Sequence, residues 1–306
     1  MENADLLVRI NQNFSSFSKG QRLLANYIME NYDKAAFVTA SRMGHTVGVS
    51  ESTVVRFAIA LGYDGYPALQ KALQEMIRNR LTSIQRIEVS NDIIGNQDVV
   101  TSVMQSDMEK IRMTMEEIDR ESFQAAVDTI VNAKKIYILG TRSSGSLAGF
   151  MSFYFGLMFD NVVHVGESAN QEIFDQIVQV GEGDVTIGLS FPRYSRRTVR
   201  AINFAHERGS KVVAITDSAS NSMAKAADYV LLAKSDMASF VDSLVAPLSI
   251  VNALLVAISL KRQEQNRGVL EELESLWEQY RVYQPFGGET AREPADGEEG
   301  YAEHHG

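Results

Sequence analysis

The hydrophobic pattern of this chain changes period at Ile136, and that change restricts the folds open to it. Downstream, five short β-rich runs, Ile136–Leu139, Val162–Val165, Val185–Leu189, Val212–Ile215 and Tyr229–Leu232, alternate with helical stretches at Leu147–Phe159, Gln171–Val180, Val199–Arg208 and Met223–Ala227. Strands that alternate with helices build a parallel sheet covered by helices on both faces. Upstream, the apolar residues recur only at helical spacing. The expected fold class is therefore α/β: an N-terminal all-α domain followed by an α/β domain with a five-stranded parallel sheet flanked by helices.

Within the helical part, Val47–Gly62 (VGVSESTVVRFAIALG) reads as a turn followed by a helix. Gly48 and Val49 make the turn, and Ser50 can cap a helix that starts at Glu51. Val54, Phe57, Ala58 and Leu61 form one apolar stripe, which leaves Ser52, Thr53 and Arg56 on or beside the outer face. Gly62 is placed to end the helix in a left-handed conformation. Outward hydroxyls and an arginine are what a major-groove reader needs, since a guanidinium can donate two hydrogen bonds to guanine. Any amphipathic surface helix carries some such face, so the surroundings decide. Phe37–Val47 reads as a short helix three or four residues upstream, as a helix-turn-helix requires. Ser18–Asn31 is a further amphipathic helix with Leu23, Leu24, Tyr27 and Ile28 turned inward. After an aromatic turn at Tyr63–Pro67, Ala68–Arg80 returns to helix with Lys71, Arg78 and Arg80.

FSKGQRLLANYIMEN followed by SRMGHTVGVSESTVVRFAIALGYDGYPALQKAL resembles the N-terminal domain of the RpiR/MurR-type bacterial transcriptional regulators. Val49, Ser50, Thr53, Arg56, Phe57, Leu61 and Gly62 carry that resemblance together. It implies double-stranded operator DNA as a partner, with Lys19, Ser50, Glu51, Ser52, Thr53 and Arg56 as the DNA-facing set. A net charge of -10 is at first sight wrong for such a protein. Its distribution removes the conflict, because residues 1–80 hold nine basic against seven acidic side chains. One mildly basic domain neutralises few phosphates, so a second copy is expected to supply the rest of the affinity.

Three loops after strands share one composition: GTRSSGS (Gly140–Ser146), SFPRYSRRT (Ser190–Thr198) and TDSASNS (Thr216–Ser222). In an open parallel sheet, ligands bind beyond the carboxyl ends of the strands. Helix-initial amides with hydroxyls beside them suit an anion, and together the three loops suit a small phosphorylated sugar. Residues 120–262 resemble the sugar isomerase (SIS) domain. The resemblance implies effector contacts at Gly140, Ser144, Ser190, Ser195 and Ser218, and the same loops add Thr141, Arg142, Ser143, Ser146, Arg193 and Tyr194. Two departures stand out. Arg142 occupies the place of a common second glycine, and Pro192 with Arg193 stands where SxSGxT is common. Arg142, Arg193, Arg196 and Arg197 are open to two readings, as clamps on an acidic effector or as surface and interface residues.

SIS folds also catalyse aldose-ketose isomerisation, which needs a positioned base. His164, Glu167, Glu172, Asp175 and His206 are the candidates, but none stands in a catalytic motif. Non-enzymatic sensing is expected, with no catalytic residue, cofactor or metal. With no cysteine there are no disulfides or thiolate metal sites. Leu244–Leu260 is interrupted by Pro247, Ser249, Asn252 and Ser259, which points to a buried or interface helix, and the start lacks a signal-peptide pattern. A cytoplasmic homodimer or homotetramer is expected, without membrane contact.

The expected boundaries are 1–80 for the DNA-binding domain, 81–118 for a connector, 119–285 for the SIS domain and 286–306 for a disordered acidic tail. In the connector, Thr82–Gln97 has little periodicity. Val99, Val103, Met104, Met108, Ile111, Met115 and Ile118 are spaced for a helix whose methionine stripe is core or dimer contact. Helix is expected from Leu244 to about Tyr283, with Trp277 against the sheet domain or a partner subunit.

Overall fold

The computed structural model describes residues 6–77, 82–95, 98–166, 172–236 and 241–283. Arg78, Arg80, Glu167 and the tail 286–306 lie outside them.

The N-terminal helices are α1 (Leu6–Asn13), α2 (Lys19–Glu30), α3 (Tyr32–Ala35), α4 (Ala40–Val47), α5 (Glu51–Ala60) and α6 (Tyr66–Ile77). Local chemistry explains most of these boundaries. Ser18 and Gln21 form a reciprocal capping box that starts α2. Thr39 accepts from the Arg42 amide, so α4 begins later than the apolar pattern at Phe37 suggests. Ser50 caps α5 as expected, and Gly62, just past its end, has a φ of +81°. Ile10, Phe17, Leu24, Ile28, Met43, Val54, Phe57, Ala58, Leu69 and Leu73 close one core. Leu23 does not join it: the side chain is 45% exposed, one position off the buried stripe of Leu24 and Ile28. Side chains of α6 hold the α3–α4 connection, Tyr66 Oη donating to Val38 O at 2.5 Å and Gln70 Nε2 to the same oxygen at 2.9 Å. Burial, with Tyr27 nearby, pushes the Tyr66 phenol well above its ordinary range, so it remains a donor.

Residues 82–95, where periodicity gave no element, form α7 (Ser83–Ile94). Its start is fixed by cap chemistry rather than by an apolar stripe, with Thr82 and Gln85 making a second capping box. Next comes α8 (Val99–Glu117), capped by Asp98. Met104, Met108 and Met115 are 60–63% exposed, so the methionine stripe is not core within this chain. The buried side of α8 carries Lys110 and Thr114 instead.

After α9 (Arg120–Val131) the sheet begins, with β1 (Ile136–Gly140), α10 (Ser143–Met158), β2 (Val162–Val165), α11 (Ile173–Gln176), β3 (Val185–Leu189), α12 (Arg196–Glu207), β4 (Lys211–Thr216), α13 (Ser222–Lys225), β5 (Tyr229–Leu232) and α14 (Val245–Lys261). All pairings are parallel and the order is β2-β1-β3-β4-β5. Ile136 and Ile138 face the core under α9, α10 and α14, while Tyr137 and Leu139 face the one under α11 and α12. That alternation is the two-residue period of a strand covered on both sides. The expected helix Gln171–Val180 shortens to α11, where Gln176 turns back to bond both backbone groups of Gly166.

The C-terminal helical stretch is broken at Arg262. Helix α15 (Gln263–Gln279) belongs to a second unit that begins at Gln263, in which Trp277 meets Tyr283 edge to face at 5.2 Å. No single helix among the described residues is long and apolar enough to cross a membrane.

Candidate functional site

Two regions hold the residues that sequence reasoning singled out. The first is α4–turn–α5. Gly44 permits the tight approach between the two helices, since a Cβ there would lie 2.7 Å from Val49 O. Gly48, at a φ of +77°, ends α4. A Cβ on Gly20 would stand 3.2 Å from Thr53 Cγ2, so the first turns of α2 and α5 lie side by side. This juxtaposition brings Lys19 next to the start of α5, which sequence spacing alone could not show. Both helix starts present amides and the positive end of a helix dipole.

Lys19, Ser50, Glu51, Ser52 and Arg56 are exposed and Thr53 is half-buried. Ser50 Oγ accepts from the Thr53 amide at 3.3 Å and lies 2.9 Å from both Ser52 Oγ and Thr53 Oγ1. Arg56 Nε donates to Ser52 O at 3.2 Å, which lays the guanidinium along the helix toward its start. Glu51 differs from its neighbours: a carboxylate can accept from a cytosine amino group but repels phosphate. Arg9, which sequence reading missed, bonds Leu61 O and lies 4.8 Å over the Tyr63 ring, fastening α1 to the end of α5.

The second region is the carboxyl edge of the sheet at the β1–β3 neighbourhood, where the strand order reverses. Such a reversal opens a crevice between the two following loops. Gly140 ends β1 and allows the loop to fold back on it, because a Cβ there would lie 2.5 Å from Ser144 O. Thr141, nearly buried, meets Thr198 of α12 at 3.0 Å between hydroxyl oxygens and ties the two loops together. Ser195 caps α12 by accepting from the Thr198 amide. Tyr194 Oη donates to Asp217 Oδ1 at 2.6 Å, which ties the second loop to the third. Thr216 Oγ1 donates to Ser190 O at 2.8 Å across the same gap.

The structure therefore brings all three predicted loops together, but it divides their residues. Ser190 and Ser144 are buried, and Thr141 and Ser195 are engaged with neighbours. Arg142, Ser143, Ser146, Arg193, Arg196 and Arg197 are exposed; Tyr194 and Ser218 are half-buried, and Ser218 Oγ lies 2.8 Å from Ser220 Oγ. Thr198 and Asp217 were missed. Their signal was present in the position of each, one a helix N3 hydroxyl and the other an acid directly after a strand.

Arg142 and Arg193 share a further property. Both have positive φ, at 56° and 52°, a conformation that favours glycine. With ψ at -130°, Arg142 has the dihedrals of the glycine position of a type II′ turn. The two departures noted in the sequence are thus a structural pair. Side chains stand where the backbone asks for glycine, on both loops of the crevice.

A shallow depression lies at the opposite, amino edge of the sheet, lined by Asp128, Asn132, Asp184 and Lys211 among others. Its charged groups are engaged internally: Asp184 accepts from the Gly181 amide, Lys211 donates to Asp228 at 2.6 Å, and Asp128 pairs with Lys261. Burial raises the Asp228 carboxyl, but Lys211 and the Val212 amide outweigh it and hold the group below its ordinary value. His206 lies in the last turn of α12 at this same far edge. No group of three potential metal ligands occurs among the described residues.

Residues 4–80 match the helix-turn-helix domain of the rpiR family, and residues 129–257 match the SIS domain. An HTH-type transcriptional regulator of Clostridium perfringens is 26% identical over 215 residues, 70% of this chain and 76% of the relative. The regulator HexR of Escherichia coli is 23% identical, covering 90% of this chain and 96% of its own. Among solved structures, the sugar isomerase domain of an RpiR transcription factor from Sphaerobacter thermophilus has 28% identity and a TM-score of 0.56, covering 58% of this chain and 99% of that one. The fold is also shared with Vibrio vulnificus NanR complexed with ManNAc-6P, at 20% identity and a TM-score of 0.56, covering 92% and 100%.

Proposed function

The chain belongs to the RpiR-type transcriptional regulators, with an rpiR-family helix-turn-helix domain and an SIS domain, and on that premise we propose that a phosphorylated sugar or related acidic carbohydrate controls its grip on operator DNA. Residues 1–80 are read as the DNA-binding domain, 81–118 as the connector and 119–285 as the sensor. Arg56 and Ser52 read base edges from α5, while Lys19, Ser50 and Thr53 contact phosphate at the paired helix starts.

The observation that carries the sensor reading is the pair of loops after β1 and β3, joined at Thr141–Thr198 and each carrying an arginine in a glycine-type conformation. Backbone strain of this kind costs about 1–3 kcal/mol per residue and is retained where the surroundings or the function require it. Arg142 and Arg193 therefore act as effector clamps rather than incidental surface charge. Helix-initial amides of α10 and α12 take the phosphate, Ser143 and Ser146 support it, and Tyr194 with Asp217 accepts sugar hydroxyls. Gly140, Thr141, Ser144, Ser190 and Ser195 shape the loops; Ser218 lies at the rim. The ManNAc-6P held by NanR makes sugar phosphates the first class to test.

The working form is a cytoplasmic homodimer or homotetramer that presents paired helix-turn-helix units to a pseudo-palindromic site. Exposed apolar side chains on α8, on α10 (Phe150, Phe153) and on α14 (Val256, Leu260) support association. We read the chain as a sensor and not a catalyst. A thermal-shift screen of sugar phosphates tests this, since a ligand of the folded state raises the melting temperature. Absence of any shift, or turnover of a sugar phosphate, would overturn the reading.

A further inference from the structure

We propose that Arg86 and Asp242 form the link through which the carboxyl edge of the sheet positions the DNA-binding helices. The inference rests on the reading of that edge as the effector site. Arg86 lies on α7 and is 1% exposed, and it belongs to neither set of proposed ligand-facing residues. Its Nη1 donates to Asp242 Oδ1 at 2.8 Å. Asp242 belongs to the chain that follows β5, which leaves the sheet at the same edge as the three effector loops.

That chain is anchored at both ends. Ala233 N donates to Thr216 O at 2.8 Å, next to Asp217, and Ser235 Oγ donates to Ser243 O at 3.0 Å. It also holds α8, through Ser243 Oγ to Asp107 at 2.6 Å and Lys234 N to Thr114 Oγ1 at 2.9 Å. On the other side of Arg86, the adjacent Gln85 completes the cap of α7 and donates from Nε2 to Asp33 Oδ2 at 3.4 Å, in α3 of the DNA-binding domain. One continuous set of contacts thus runs from β4 and β5 through Asp242, Arg86, Gln85 and Asp33.

A buried guanidinium is strongly destabilising without its counter-charge. Displacement of the chain after β5 must therefore carry α7 with it or expose Arg86 to water. Two discrete arrangements, rather than a gradual deformation, are what transmission between sites requires.

Amide hydrogen exchange on the full-length chain tests the link. Replacing both residues, Arg86→Met with Asp242→Leu, removes the buried guanidinium together with this carboxylate. Exchange over Tyr32–Phe37 should quicken about tenfold or more while β1 and β3 keep their protection. Quickening confined to α7 and residues 241–244, with Tyr32–Phe37 as in the wild type, overturns the proposal. Should the double variant not melt cooperatively, Gln85→Ala is measured with the same two outcomes. In a second arm, millimolar inorganic phosphate should slow exchange over Ser143–Leu147 in both proteins and over Ser83–Arg86 in the wild type alone. Slowing at Ser83–Arg86 in both overturns the link. No slowing at Ser143–Leu147 in either counts against the anion site, and the first arm then decides the link by itself.

Discussion

The start of α5 and the starts of α10 and α12 are built from the same materials, hydroxyls and an arginine around helix-initial amides, and the fold uses them in opposite ways. At α5 the polar residues lie on an exposed helix start. Among the described residues, the hydroxyls of Ser50, Ser52 and Thr53 bond to one another and to local backbone, and Arg56 reaches back along the helix to Ser52 O. At the sheet edge the hydroxyls connect separate loops, Thr141 to Thr198 and Thr216 to Ser190, and the arginines are set by strained backbone. An exposed helix start suits the groove of a duplex. Loops braced against one another suit a small ligand. Composition therefore names neither partner; exposure and bracing separate them.

Substitutions can break that contrast, and the glycines should act most strongly. Gly44→Ala and Gly140→Ala each drive a Cβ into backbone oxygen, at 2.7 and 2.5 Å, so each should cost about 2–4 kcal/mol. Denaturant melts followed by limited proteolysis should show Gly44→Ala loosening residues 6–77 with the sheet intact, and Gly140→Ala the reverse. Next, Arg56→Ala should weaken binding to a duplex selected by the wild-type protein by about 10- to 100-fold in an anisotropy titration, without altering sugar-phosphate melting shifts. Arg142→Gly should act oppositely on two readouts. Relief of the positive φ should raise stability by about 1 kcal/mol, while the melting shift given by a sugar phosphate shrinks. No gain in stability would mean that the arginine is not strained.

The smallest effect lies away from both sites. Asp228 has its folded-state carboxyl held below the ordinary value of about 3.9, so its contribution is present above that value and is lost as pH falls through the lower folded one. Asp228→Asn should then lower stability by about 1 kcal/mol at pH 7, and the difference should shrink as pH falls through the depressed carboxyl value in pH-dependent melts.

Much of this was legible from spacing. Val54, Phe57, Ala58 and Leu61 all lie in the core, and the five strand runs fall within a residue or two of the observed strands, because burial on one face or both imposes a period that sequence carries directly. Helix α7 was not legible as a stripe, since its start is set by the Thr82–Gln85 cap and among its described side chains the long one that is buried is an arginine. Leu23 was grouped with Leu24, Tyr27 and Ile28 as one inward face but is exposed, since adjacent helical residues point about a quarter-turn or more apart. In the candidate site the loops could be found but the partners could not. Thr141–Thr198 spans 57 residues and Tyr194–Asp217 spans 23, and contacts at such separations follow from strand order. The strain at Arg142 and Arg193 was foreshadowed only as a departure from a glycine pattern. Its meaning needed the dihedral angles.

A sensor of this design must couple the two regions. Affinity for a duplex selected by the wild-type protein, measured with and without each sugar phosphate that raises its melting temperature, tests this most directly. At least one such compound should change DNA affinity by about fivefold or more in the wild type and leave Gly140→Ala unaffected. Sugar phosphates that bind yet leave DNA affinity unchanged in the wild type would contradict it.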